Sequence, residues 1–292
     1  MNETGSDIAN NEPVKEKFSV FKFIMRLIYG AMIGLGAVLP GISGGVLCVV
    51  FGIYKPIMEL LSHPIKAIKK YASLLIPTVI GIAAGFLGIA KLLGFLLERY
   101  EAPSMCVFIG LIAGMLPSLF REAGLKGRSK GSYISMGVAF LIVLGILLGI
   151  KAVSITIPLN FGSYIFCGFC LALSIIAPGM SFSTLLMPLG LYQPFVAGIG
   201  DFDFGIILPA AIGAILTIIL LAKLVTMLMD KHYSIVFHAI IGIVIAATVI
   251  IIPFSSFTLS FTSAAINVIC LIIGIVAALL LDKFNSRVEK PE

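Results

Sequence analysis

Ten apolar stretches, separated by short polar breaks, make up most of the chain. They run over roughly 20–39, 42–54, 73–97, 103–120 and 133–151, then 161–177, 180–192, 204–229, 234–253 and 262–281. Most approach the ~20 residues a helix needs to cross hydrocarbon. They are continuous rather than alternating with period two, so the pattern predicts spanning helices and not a barrel. The second stretch of each set of five is shorter, roughly 13 residues, too few to span comfortably. Tyr54, Tyr71, Tyr100, Tyr133, Tyr192 and Tyr233 fall near stretch ends, where interfacial aromatics belong.

The same order of lengths occurs twice, and the residues repeat with it. Residues 40–56 read PGISGGVLCVVFGIYKP and residues 178–194 read PGMSFSTLLMPLGLYQP. At this offset Pro40/Pro178, Gly41/Gly179, Ser43/Ser181, Leu47/Leu185, Gly52/Gly190, Tyr54/Tyr192 and Pro56/Pro194 are identical. A second offset, from Pro77 to Pro209, pairs Gly81/Gly213, Ala90/Ala222, Lys91/Lys223, Leu92/Leu224 and Gly110/Gly242 and matches Glu98 with Asp230 in charge. A shared bias toward Gly and Leu does not place Pro, Ser, Tyr and Lys in register, so the halves are read as a duplication.

The predicted fold is an all-α polytopic membrane protein of two inverted repeats. Each repeat is a re-entrant helical hairpin followed by about three transmembrane helices. Three is odd, so the second repeat enters from the opposite side. The division is a tail at 1–19, a first repeat at 20–151, a second at 152–282 and a tail at 283–292. Lys22, Arg26, Lys66, Lys69, Lys70, Arg121, Lys126, Arg128, Lys130, Lys283, Arg287 and Lys290 then share one side. By the positive-inside rule that side is the cytoplasm, where both termini are placed. Asp201, Asp203 and the uncharged stretch 254–261 fall outside.

Composition agrees. Of 292 residues, 60% are hydrophobic and 12% charged, too little charge to cover a soluble surface. The net charge of +6 is spread over short loops, which suits anionic head groups rather than nucleic acid. The polar start carries no signal-peptide pattern. Cys48, Cys106, Cys167, Cys170 and Cys270 all lie in apolar stretches. The C-x-x-C of Cys167 and Cys170 lacks a second pair or a nearby His, so it is read as packing, and no metal is expected.

The candidate chemistry sits in the repeated element. Proline begins a helix without wasting an N–H, and glycine lets backbone approach a ligand. The first amides of a short helix are unpaired and its dipole makes that end positive. Two such ends facing each other, with hydroxyls added, suit a phosphate or carboxylate. The candidate anion-binding residues are Pro40, Gly41, Ser43, Gly44 and Gly45, with Pro178, Gly179, Ser181 and Ser183. The bland alternative for each loop is a tight turn whose serine caps its own helix. Lys91 and Lys223, each inside an apolar stretch, are read as cations for an anionic head group, with snorkelling as the alternative. Arg26 is a further candidate at one membrane face. His238 lies inside a predicted span, where a packed imidazole and a proton site are the two readings.

These two elements, PGISGG…GIY and PGMS…GLYQP, resemble the paired signatures of the bacterial polyprenyl-phosphate translocase family, over residues 25–282. The resemblance implies a carrier in the bacterial cytoplasmic membrane. It would return undecaprenyl phosphate from the outer to the inner leaflet for reuse in cell-envelope polymers. It also implies re-entrant helices, with the head group at Pro40, Gly41, Ser43, Gly44 and Gly45 together with Pro178, Gly179 and Ser181. The partners expected are the polyprenyl-phosphate lipid and membrane lipids. No cofactor is expected beyond coupling to a proton or sodium gradient.

Two other classes compete. Residues 41–45 fit G-x-S-x-G, the pattern of a serine hydrolase, but a nucleophile needs a base within reach. His238 is the one histidine inside a predicted span, and a single dyad does not explain a duplicated serine. A carrier or channel for a small soluble anion would use the same helix ends and need a continuous wet path. The expectation is a transporter and not an enzyme.

Overall fold

The structure, a computed structural model, describes residues 19–39, 64–153, 156–176 and 180–288, with short stretches between 47 and 60. The side chains of residues 64, 222, 223, 226 and 284–288 are outside this description. The principal helices are α1 (Val20–Val38), α2 (Pro64–Arg99), α3 (Glu101–Ala123), α4 (Lys130–Ala152), α5 (Phe161–Ile176), α6 (Phe182–Leu186), α7 (Tyr192–Gly200), α8 (Phe204–Ile250), α9 (Phe254–Thr258) and α10 (Phe261–Val288). A 3₁₀ turn, Met187–Leu189, continues α6.

Among the described residues, seven helices are long and apolar enough to cross a membrane. They are α1 to α4, the two arms of α8, and α10. The chain is thus an all-α, multi-pass membrane protein. α8 divides at His232 (φ −133°, ψ 38°) and α2 bends at Tyr71 (φ −120°, ψ 20°). Both breaks fall where polar residues interrupt the apolar run, as the sequence pattern predicts. α4 exposes Val138, Leu141, Ile142 and Ile146. Such a face is a hazard in water and the favoured surface in lipid.

Small residues set the helix packing, because lipid offers no hydrophobic drive between helices. A Cβ on Gly30 would run into the carbonyl oxygen of Thr78, one on Gly34 into Ile82, one on Gly81 into Leu27 and one on Gly85 into Ala31. The register rises together in both helices, so α1 and α2 run parallel. α2 therefore starts on the side where α1 began. The second repeat makes the corresponding contacts: Gly168 meets the carbonyl of Ala210, and Gly213 that of Ile165.

The last spans are exchanged. α3 packs on α10, with Gly110 against Leu271 and Gly274 against Val107. The second arm of α8 packs on α4, with Gly242 against Met136. Arg121 at the end of α3 pairs with Asp282 near the end of α10 at 2.7 Å. α3 runs antiparallel to the second arm of α8. Glu122 accepts from the Tyr233 hydroxyl at 2.9 Å at one end, and Ile112 shares a buried cluster with Ile240 and Val244 further along. Ile112 and Val244 are themselves repeat partners.

Candidate functional site

The repeated element folds the same way twice wherever both copies are described. Gly52 and Gly190 adopt left-handed φ of 68° and 70°, a conformation that favours glycine. The Ile53 amide donates to the Cys48 carbonyl at 2.8 Å, and the Leu191 amide to the Leu186 carbonyl at 3.1 Å. The next turn repeats as well, Ile57 to Ile53 and Phe195 to Leu191. Left-handed glycine with a six-to-one backbone bond is the Schellman way of ending a helix. In the second copy it turns the chain by 116°, from 182–189 into α7.

The hydropathy pattern misplaces this region in part. It ends the short segment at residue 192, whereas the structure ends it at Leu189 and begins α7 at Tyr192. Pro194 and two glycines disguise α7 as a linker, yet proline is tolerated in a first helical turn. Tyr192 also departs from its interfacial placement. It is buried, against Phe108, Phe182 and neighbours, and its hydroxyl donates to the Val38 carbonyl at 3.0 Å. Val38 ends α1, so its carbonyl belongs to those a helix leaves unpaired. This bond joins the second repeated element to the residue two before Pro40. Val38, Ala90, Phe182, Leu186, Tyr192 and Phe195 form one buried cluster, against which Leu39 packs.

Pro40, Gly41, Ser43, Gly44, Gly45, Pro178 and Gly179 lie outside the described residues. Ser181 and Ser183 lie within them, their hydroxyls 2.6 Å apart. The Thr184 hydroxyl donates to the Ser181 carbonyl at 2.6 Å. Ser183 and Thr184 are buried and Ser181 is half-buried. One hydroxyl of the Ser181–Ser183 pair donates to the other, which leaves the second hydroxyl's proton uncommitted within the pair. Thr184 was not singled out from sequence. Its copy in the first element is Val46, with no hydroxyl to flag it.

Lys91 is one residue beyond buried Ala90 and is itself exposed. It lines an open groove of about 590 Å³ with Leu87, Gly88, Leu92, Phe95, Gly200 and Phe202. Nothing stands within 4 Å of a Cβ built on Gly88, whereas one on Gly200 would touch the Lys91 backbone. The groove is therefore an apolar trough between α2 and the end of α7, with one cation on its wall. Lys223 lies within the first arm of α8. Arg26 is not brought to this cluster. It is three turns before Val38 on α1, and it donates to the Ser73 carbonyl on α2 at 3.1 Å.

Cys167 and Cys170 are buried in the same apolar cluster as Tyr192. His238 is buried between helices, with its ring edge-on to Phe120 and Tyr133.

A family model described as undecaprenyl phosphate translocase-like matches residues 8–132 and 72–269. The chain is 25% identical over 283 residues to a protein of Staphylococcus aureus (strain NCTC 8325 / PS 47) named polyprenyl-phosphate transporter. That match covers 92% of this chain and 99% of the relative. It is 22% identical over 239 residues to a protein of the same name from Vibrio cholerae serotype O1 (strain ATCC 39315 / El Tor Inaba N16961), covering 76% and 75%. No solved structure matches.

Proposed function

The chain belongs to the undecaprenyl phosphate translocase-like family, and from that premise we propose that it carries a polyprenyl phosphate across the bacterial cytoplasmic membrane. The direction we assign is from outer to inner leaflet, for reuse in envelope polymer synthesis. The basic ends of α3 and α10 face the cytoplasm in this reading, as do both termini.

The lipid divides the work. Its prenyl tail stays in hydrocarbon, and the phosphate alone needs a polar path, because a bare anion there is very costly. The two Pro-Gly-x-Ser loops hold the phosphate through helix-start amides and the hydroxyls of Ser43, Ser181 and Ser183. The trough beside Lys91 receives the upper tail, with the ammonium placed to draw in the anion. Lys223 takes the corresponding part in the other half. Arg26, held to Ser73, serves the basic face rather than the loops.

The observation that carries this reading is the bond from Tyr192 to Val38. It sets the end of α1, which leads into the first repeated element, beside the turn of the second, and this supports a site shared between them. Inverted halves are supported by the antiparallel contact of α3 with the second arm of α8, centred near the repeat partners Ile112 and Val244. Two such halves can rock about a fixed central site and expose it alternately. The reading is of a carrier and not a hydrolase.

Thermal unfolding of the purified protein tests the binding step. A short-chain polyprenyl phosphate is expected to raise the midpoint, with polyprenol and inorganic phosphate inert, and Ser181→Ala with Ser183→Ala is expected to halve the shift or more. Stabilisation by inorganic phosphate alone, with phosphate uptake into liposomes, would assign a soluble-anion carrier instead.

A further inference from the structure

The His238 ring is fully buried. Its Nδ1 lies 2.7 Å from the Ser234 carbonyl oxygen. A carbonyl only accepts, so Nδ1 carries a proton, and in the neutral form of the ring Nε2 keeps the lone pair. Nε2 has no hydrogen-bond partner among the described residues. Buried polar atoms are rarely left so, and each asks for a reason.

A line of hydroxyls leads away from the other side of the ring. The Ser234 hydroxyl is 3.4 Å from Nδ1. It is 3.0 Å from the Ser132 hydroxyl, which is 3.1 Å from that of Ser129. Ser132 is fully buried, Ser234 half-buried, and Ser129 exposed in the basic loop before α4. The line thus runs from the packed interior to water, and either oxygen can donate at both hydroxyl contacts.

The charged groups on the surrounding elements are engaged elsewhere or lie at the rim. Arg121 pairs with Asp282 and Glu122 accepts from Tyr233. Lys126 lies over the Tyr233 ring, and Arg128 donates to the Phe120 carbonyl. Lys130, Asp230, Lys231 and His232 are exposed at the helix starts, and Tyr133 meets His238 through its ring. Among the described residues, none of these groups is paired with the His238 ring.

We propose that His238 is a proton-binding site, and that Ser234, Ser132 and Ser129 connect it to the basic face. Water admitted to Nε2 as the halves rock donates one proton there. The Nδ1 proton leaves to the Ser234 oxygen, the hydroxyl proton of Ser234 passes to Ser132, that of Ser132 to Ser129, and that of Ser129 to water. One proton enters and one leaves, and the ring ends as the opposite neutral tautomer. The Nδ1–H form returns when the water at Nε2 takes that proton and delivers one to Nδ1, so that no proton goes back along the serines. This rests on the translocation reading only in what the proton flow drives, namely inward movement of a lipid phosphate.

The test uses full-length protein in liposomes, with a lumenal pH dye, a voltage clamp by potassium and valinomycin, and an acid step outside. Lipid movement is read separately, without a gradient, from the access of an external phosphatase to polyprenyl phosphate. Wild type is expected to acidify the lumen several-fold faster than empty liposomes. His238→Asn, which keeps a donor for the Ser234 carbonyl, and Ser132→Ala, which breaks the line, are each expected to lower that rate to the empty-liposome value. Wild-type acidification retained by both variants would overturn the proposal, as would a wild type that moves lipid and no protons. Proton flow lost in both variants but without any lipid exposure would support the proton site and overturn the lipid reading alone.

Discussion

Two seams in the molecule occupy equivalent places in the duplicated sequence and carry different chemistry. In the first, α3 meets α10: Cys106 is fully buried, and one turn on Gly110 closes against the Leu271 carbonyl. In the second, α8 meets α4: His238 stands where Cys106 does, and one turn on Gly242 closes against the Met136 carbonyl. The closeness of both seams follows from the glycine. A thiol fills the same place in the first seam at no polar cost, whereas the imidazole brings two polar nitrogens into the second. The first seam is not free of polar groups, but its Asn267 turns to Ser256 of α9 at 2.8 Å. What the second seam adds is a line of hydroxyls with an open nitrogen at its inner end.

The comparison breaks most visibly at the glycines. Gly110→Leu and Gly242→Leu are each expected to abolish a monodisperse peak in size-exclusion chromatography. The helices must separate to admit the side chain, and overpacking of this kind costs ~1–3 kcal/mol or more. If one seam tolerates leucine and the other does not, they are not equivalent. Exchanging the residues before the glycines is the next largest change. Cys106→His buries a ring where no serine line exists and is expected to cost ~1–3 kcal/mol in thermal unfolding. His238→Cys is expected to shift stability by less than that and to remove the response of lumenal pH.

Tyr192→Phe leaves the Val38 carbonyl unpaired and is expected to cost about 1 kcal/mol, read as a fall of a few degrees in the melting midpoint. Its effect on lipid exposure is expected to exceed its effect on stability, because the bond ties one repeated element to the other. Lys91→Gln is expected to leave the midpoint unchanged, since Lys91 is exposed, and to slow lipid exposure several-fold. Lys91→Arg restores the charge and is expected to recover most of the rate. The smallest effect is expected at the Arg121–Asp282 pair. It is a partly exposed ion pair, and Asp282→Asn is expected to change stability by ~0.5 kcal/mol or less.

Much of the fold was legible because lipid imposes one rule, that backbone be satisfied within each span. Run lengths and polar breaks therefore located α3, α4 and both arms of α8 within a few residues, and the start of α10 within one. The duplication was legible because Pro, Gly, Ser and Tyr kept their register, and Gly52 with Gly190 then adopted one geometry. Hydropathy carried no sign of α7, whose glycines lie against neighbours: Gly200 on the backbone of Lys91 and Gly198 on Ile206. Nor could it tell that Tyr192 is buried, because an interfacial and a buried tyrosine read alike until a carbonyl is seen to receive the hydroxyl. Ser132 and Ser234 were invisible for a similar reason. They lie 102 residues apart, and only the packing of α8 on α4 brings them into line with His238. The seven loop residues of the two Pro-Gly elements outside the described residues keep the standing the sequence gives them, as the proposed phosphate ligands.

The central claim is that a lipid phosphate crosses the membrane on this protein. The most direct measurement is the rate at which a labelled polyprenyl phosphate, loaded into the inner leaflet of sealed proteoliposomes, becomes accessible to an impermeant phosphatase outside. The account predicts exposure well above that of empty liposomes, lowered severely by Ser43→Ala with Ser181→Ala and several-fold by Lys91→Gln. Exposure no faster than in empty liposomes, with or without an imposed proton or sodium gradient, would contradict it.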